Sequence, residues 1–141
     1  MRIPPKFKFV IRYWLPFLLW AVLIFSFSSN PTVKTSEIHW QDFIIKKTAH
    51  IIEYFIFTLL LYRALRQSNI KNITAIYLAI VMAFLYGMSD EFHQSFTPGR
   101  EPKIRDVLID TSGSLLFFIF LYKIAPRNKN LTKLLKMLQL T

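Results

Sequence analysis

The sequence predicts an all-α membrane protein, a bundle of four transmembrane helices with a C-terminal amphipathic helix. Three observations predict it. Of the 141 residues, 53% are hydrophobic and 16% aromatic, but only 18% are charged, against about 25% charged in a soluble domain. The charges lie mostly between long apolar runs rather than within them. The basic residues crowd at the ends of those runs, which is how charge distributes about a membrane. The net charge of +10 would also suit a nucleic-acid binder, but the basic residues form no single stripe, so no nucleic-acid partner is expected. There is no cysteine, which excludes disulfides and thiolate chemistry. The length sets one domain over 1–141.

The first span is expected over about 13–29, behind Arg2, Lys6, Lys8 and Arg12. A basic flank and an apolar run also describe a signal peptide, with Ser26-Phe27-Ser28 as a cleavage site. Trp14, Phe17, Trp20 and the interior Pro16 fit a retained span better. The second span, about 48–65, opens at Lys47 and carries His50 and Glu53 in its first turns. The third, about 73–89, is uncharged. The fourth, about 105–122, carries Asp106 and Asp110 near its start. At 1.5 Å per residue such segments are short for a hydrocarbon core of about 30 Å, so flanking side chains are expected to snorkel.

Charge asymmetry sets the orientation. Arg2, Lys6, Lys8, Arg12, Arg63, Arg66, Lys71, Lys123, Arg127, Lys129, Lys133 and Lys136 all fall on one side, with no acid; the other side holds every Asp and Glu. The positive-inside rule then puts both termini in the cytoplasm of a plasma membrane and turns the loops at about 30–46 and 89–104 outward. In the tail over 127–141, Leu131, Leu134, Leu135 and Leu138 share a face at i, i+3, i+4, i+7, which predicts a helix lying on the anionic inner leaflet. Trp40 and Phe43 suggest a second interfacial helix in the outer loop, with Ser36 as its N-cap.

This orientation gathers the unusual residues at the outer face. Lys47, His50, Glu53 and Tyr54 fall within an arc of about 120° on the second helix. Asp90, Glu91, His93 and Gln94 close the third helix, Arg100 lies in the loop, and Arg105 precedes the fourth helix. Asp106, Asp110 and Gly113 then share a narrow stripe, and Gly113 would let another helix come close. An ionisable group in hydrocarbon costs about 2.5–3.5 kcal/mol on insertion scales and faces a partner in the bundle interior. Glu53 and Asp110 are the sharpest cases, with Lys47, His50, Arg100 and Arg105 as their natural partners. One reading is a purely structural network of ion pairs joining three helices. Cohesion between membrane helices needs only small residues and a few amides, so the concentration of acids, histidines and arginines at one face points further, to a site.

Three stretches carry a resemblance: Lys47-Thr-Ala-His50-Ile-Ile-Glu53-Tyr54-Phe55, Asp90-Glu91-Phe92-His93-Gln94-Ser95-Phe96-Thr97-Pro98-Gly99-Arg100, and Asp106-Val-Leu-Ile-Asp110-Thr111-Ser112-Gly113. Together with Phe-Ser-Phe-Ser-Ser-Asn-Pro at 25–31, they make the chain resemble the VanZ-like family over about 13–122. Members often carry an acid where this chain has Lys46, and Asn is expected about as readily as acid at the position of Asp110. The resemblance implies a bacterial envelope protein, in a family named after a protein associated with low-level resistance to the glycopeptide teicoplanin.

The expected function is binding or modification of a lipid-linked or anionic envelope molecule, with membrane lipids as the standing partners. His50, Glu53, Asp90 and Glu91 are the acid–base candidates, since a carboxylate can steer a neighbouring base. Lys47, Tyr54, His93, Gln94, Arg100, Arg105, Asp106 and Asp110 are the ligand-binding candidates, with Arg offering a bidentate fork to phosphate or carboxylate. No Ser or Thr is clearly placed as a nucleophile. No cofactor is expected. A metal held by His50, Glu53, Glu91, His93 and an Asp is an alternative, weakened by the cations nearby, and no metal ligand is assigned. Transport is a third reading, disfavoured because the inner halves of the spans lack charge.

Overall fold

The computed structural model describes residues 4–29, 39–97 and 103–140. Among these, every regular element is helical. Helix α1 runs over Pro5–Ser28, α2 over His39–Gln67, α3 over Asn72–Gln94, α4 over Ile104–Arg127, and α5 over Lys129–Met137. Of these, α1, α3 and α4 are long and apolar enough to cross a membrane.

Proline explains the local irregularities. In α1 the backbone widens to a π-helical stretch at Val10–Trp14, just before Pro16. Proline lacks an N–H and its ring crowds the carbonyl four residues back, so the helix opens rather than breaks. The same happens at Phe120–Ile124 in α4, ahead of Pro126, after which a 3₁₀ turn ends the helix. Asn128 then caps α5, accepting from the Asn130 and Leu131 N–H groups at 2.9 and 3.4 Å. Asn69 takes a positive φ of 63° in the tight turn from α2 to α3. Ile70 N–H bonds back to the Leu65 carbonyl there, the arrangement of a helix closed by a left-handed residue.

Helices α2, α3 and α4 pack against one another, and α1 leans chiefly on α2. Small residues on α3 at a four-residue spacing, Ala75, Ala79, Ala83 and Gly87, are buried and let its neighbours come close. Tyr54, Phe57, Leu61 and Tyr62 of α2 and Phe117 of α4 fill the space between. A Cβ on Gly113 of α4 would run into the Ile51 carbonyl oxygen of α2, so the close approach expected of this glycine is present. The buried Thr58 and Ser114 hydroxyls meet across the same seam at 2.8 Å. Trp20 Nε1 donates to the Glu53 carbonyl at 3.0 Å and the Tyr86 hydroxyl to the Ala21 carbonyl at 2.6 Å, which ties α1 to α2 and α3. Backbone acceptors inside an apolar bundle gain much from such donors.

Three boundaries differ from expectation. Helix α1 starts at Pro5, eight residues before the apolar run, because the basic flank is also helix-compatible. Trp40 and Phe43 do not form a separate interfacial helix; they belong to the outer turns of the 29-residue α2. Ser36, the expected cap, lies outside the described residues. The tail meets the bundle through Leu135 and Leu140, both buried, and only partly through the expected leucine face. Gln139 takes a φ of 59°, which lets Leu140 fold back beside Leu135. The Tyr62 hydroxyl then reaches the Leu140 carbonyl at 3.1 Å.

Candidate functional site

The N-terminal ends of α2 and α4 and the C-terminal ends of α1 and α3 lie together, forming what is called here the polar end. The candidate residues there fall into two groups. The first lies between α2 and α4. Lys47 Nζ pairs with Asp106 Oδ2 at 2.7 Å, and one turn deeper His50 Nδ1 meets Asp110 Oδ1 at 3.0 Å. The i, i+3 spacing on α2 and the i, i+4 spacing on α4 put these two rungs one above the other. An ionised Asp110 accepts, so the proton sits on Nδ1, and Nε2 is the nitrogen with no protein partner among the described residues. The Asp110 side chain is 2% exposed and His50 24%, so the carboxylate is enclosed while part of the imidazole is open. This is the geometry in which a carboxylate orients a histidine for acid–base work.

Tyr54 lies below this pair and is fully buried, its hydroxyl without a hydrogen-bond partner. Glu53 is half-buried, beside α1, and no hydrogen bond or ion pair holds its carboxylate among the described residues. It feels the charges of His50, Asp110 and Asp90. Above the rungs, Arg105 approaches Asp106 Oδ1 at 3.5 Å, and its guanidinium lies 5.0 Å from the Phe43 ring centre. Lys47 Nζ lies 5.8 Å from the same ring. Neither Lys47 nor Arg105 pairs with Glu53 or Asp110 as expected from sequence; both turn to Asp106, one helical turn nearer the helix start.

The second group lies between α1 and α3. Asp90 Oδ2 accepts from Ser28 Oγ at 2.8 Å and from Gln94 Nε2 at 2.7 Å, all three residues buried. His93 stacks on Phe25, ring centres 4.2 Å apart, and its Nε2 lies 3.1 Å from Ser29 Oγ. The Ser29 hydroxyl donates to the Phe25 carbonyl at 2.6 Å, so His93 is the donor in that contact. Glu91 accepts the Lys103 backbone N–H at 2.8 Å, holding the start of α4 against the end of α3. Arg100 lies outside the described residues.

The acid–base candidates thus divide: among the described residues His50 and Glu53 keep polar atoms without a partner, whereas Asp90 and Glu91 hold neighbouring segments in place. Ser28 and Ser29 join the polar end although sequence reading assigned them no role there; their position at the close of the first span was the available signal. Thr111 and Ser112 donate to the backbone carbonyls of Val107 and Ile109 at 2.7 and 2.5 Å. With Ser29 donating in the same way, these hydroxyls are structural rather than activated nucleophiles. Among the described residues, no three of His, Asp and Glu converge as metal ligands. At the opposite, basic end, a groove of about 370 Å³ runs between Ile73, Ile76, Tyr77 and Phe118 and is lined by no acidic or basic side chain.

A sequence model described as VanZ/LLP1 matches residues 9–126, which take in α2 and α3 whole, all but the outermost residues of α1 and α4, and every described residue of the polar end. No curated protein and no solved structure matches the chain. With most of its length matched and its helices apolar enough for a bilayer, this membrane protein belongs to the VanZ/LLP1 family.

Proposed function

We propose that the chain crosses the bacterial plasma membrane four times, with both termini and the surface-lying tail in the cytoplasm, and that its polar end acts at the outer face on a lipid-linked envelope molecule. The charge asymmetry supports the orientation, because the basic end carries no Asp or Glu. Counted with α2, whose 29 residues exceed the roughly 20 needed to span, the helices make four crossings. The observation that carries the functional reading is the His50–Asp110 pair at 3.0 Å, one nitrogen held by an enclosed carboxylate and the other unengaged among the described residues. Such a base can take a proton from a water or hydroxyl at the membrane surface. Lys47 and Arg105 line the approach, and Glu53 offers a second acid–base group one turn deeper. Teicoplanin-type drugs anchor by a lipid tail and bind peptidoglycan precursors at that same surface. Binding or altering a precursor lipid there would lower drug occupancy, which is the proposed route to resistance.

Drug susceptibility tests this directly. Cells carrying empty vector, wild-type protein, or equally expressed His50→Ala are compared on teicoplanin, with vancomycin alongside. The expected result is selective protection from teicoplanin by wild type and its loss in the variant. Equal protection by both proteins would show that His50 is structural. Protection by neither would separate this protein from glycopeptide resistance.

A further inference from the structure

Asp110 has two carboxylate oxygens and only one is accounted for. Oδ1 accepts a hydrogen bond from the His50 Nδ1–H, while Oδ2 is buried and has no hydrogen-bond partner among the described residues. Tyr54, on the neighbouring helix, carries a buried hydroxyl that likewise has no hydrogen-bond partner among the described residues. Both residues are at most 1% exposed. The two loose atoms face one spot: a Cβ built on Gly87 would stand 3.5 Å from Asp110 Oδ2 and 3.5 Å from the Tyr54 hydroxyl, with no closer neighbour. With no side chain on Gly87, a hydrogen-bond donor and an acceptor both lie within reach of one spot beside its backbone.

We propose that Tyr54 and Asp110 hold a single buried water in the hollow beside Gly87, and that through this water Tyr54 is a positioning residue for His50. A buried carboxylate oxygen and a buried phenol are both costly without partners, and a water needs two or more polar partners to be retained. Tyr54 donates to the water, and the water donates to Asp110 Oδ2. A hard cation would want about six oxygen ligands and finds two oxygens here, with the Asp110 charge already facing His50. The water closes the chain Tyr54, water, Asp110, His50. With both oxygens engaged the carboxylate cannot swing about its bond to Cβ, so the imidazole keeps its proton on Nδ1 and presents Nε2 as the acceptor. The value of that arrangement for catalysis rests on the reading of His50 as the working base; the water itself does not.

The test uses the full chain in nanodiscs, labelled with ¹⁵N-histidine, with the His50 signals identified by their loss in His50→Gln. Gly87→Ala fills the hollow and Tyr54→Phe removes the donor without changing shape. With a bound water, each substitution shifts the His50 ¹⁵N resonances and lowers Tm, the double variant shifts them no further than either single one, and His93 signals stay in place. In a dry hollow, the alanine methyl meets only ordinary contacts and favours the helix. Gly87→Ala would then keep the His50 signals and hold or raise Tm, which overturns the proposal. Unchanged His50 signals in Tyr54→Phe would remove its positioning role. A shift on exchanging sodium for potassium at fixed ionic strength would replace the water by a cation. None of these readouts involves drug resistance, so failure here and failure of the proposed function are separable.

Discussion

Replacing Gly113 by alanine should loosen both the seam between α2 and α4 and the histidine pair one turn away. The new Cβ would collide with the Ile51 carbonyl oxygen and stand 3.1 Å from both the Ile51 carbonyl carbon and the Phe55 nitrogen. All three obstacles are backbone, so no side-chain rotation relieves them. Restoring ordinary separations of about 3.5 Å or more means moving the helices apart on the order of 1 Å. Overpacking of this kind costs about 1–3 kcal/mol, and alanine returns up to ~1 kcal/mol through its helix preference. The net loss is ~1–2 kcal/mol, a fall in Tm of several degrees for a chain of this size. Gly113 lies three residues, or about 4.5 Å of helix rise, beyond Asp110. The same shift therefore stretches the 3.0 Å contact between His50 and Asp110 towards 4 Å, outside hydrogen-bond range. Thermal unfolding of the solubilised chain, followed by tryptophan fluorescence, measures the first effect, and the ¹⁵N signals of His50 the second. A Gly113→Ala protein with wild-type Tm and wild-type His50 signals would refute the argument that this glycine sets the helix spacing.

Other contacts give further expectations. Ser28→Ala removes one of the donors to Asp90 Oδ2, at 2.8 Å, and should lower stability by about 1–2 kcal/mol in the same unfolding assay, because the acceptor stays buried. Trp20→Phe keeps an aromatic ring but loses the 3.0 Å bond to the Glu53 carbonyl; a loss of about 1 kcal/mol is expected in the same unfolding assay. A double-mutant cycle on Lys47→Met and Asp106→Asn should return a coupling of about 1 kcal/mol at most, since both side chains keep 17–18% exposure and the pair is partly screened. Deleting Lys129 to the end uncovers Tyr62 and removes its bond to the Leu140 carbonyl, and hydrogen exchange should rise at the α2–α3 turn while the polar end keeps its protection.

Some of this architecture could be read from the chain because it follows from composition and period alone. Apolar runs give helices whatever packs beside them, and the Asp106, Asp110, Gly113 stripe needed only the helical repeat to place Gly113 at the α2 contact. The pairing could not be read this way. Sequence spacing puts Lys47 near both aspartates, and only the depth at which α2 and α4 cross assigns Lys47 to Asp106 and His50 to Asp110. The small-residue line Ala75, Ala79, Ala83, Gly87 was visible in principle, but its bearing on Asp110 is not: Gly87 matters because of what approaches it from two other helices. The continuity of α2 through Trp40 and Phe43 was missed for a related reason. Local apolarity near a membrane surface is the same for a separate interfacial helix and for the projecting end of a long one.

The two groups at the polar end are unequal in a way that bears on function. Between α1 and α3, the Asp90, Glu91 and His93 side chains each meet a named partner, and the contacts join chain segments: α1 to α3, and α3 to the start of α4. A network with that form accounts for itself as cohesion. Between α2 and α4 the accounting does not close. The Lys47–Asp106 rung is an ion pair through Asp106 Oδ2, but beneath it, among the described residues, His50 keeps a nitrogen, Asp110 an oxygen and Tyr54 a hydroxyl without protein partners, and the Glu53 carboxylate beside them has no hydrogen bond or ion pair. Helix cohesion would be served as well or better by apolar side chains at these positions, and the Thr58–Ser114 contact deeper in the same seam supplies a polar link at far lower cost. A seam that is already closed by Gly113 has no structural need for His50 and Glu53, whose hydrogen-bonding capacity is not used up by the described residues. Under the proposed function, that surplus, rather than the number of charges at the membrane surface, is what favours His50, with Asp110 behind it, and Glu53 as the groups that would meet a ligand.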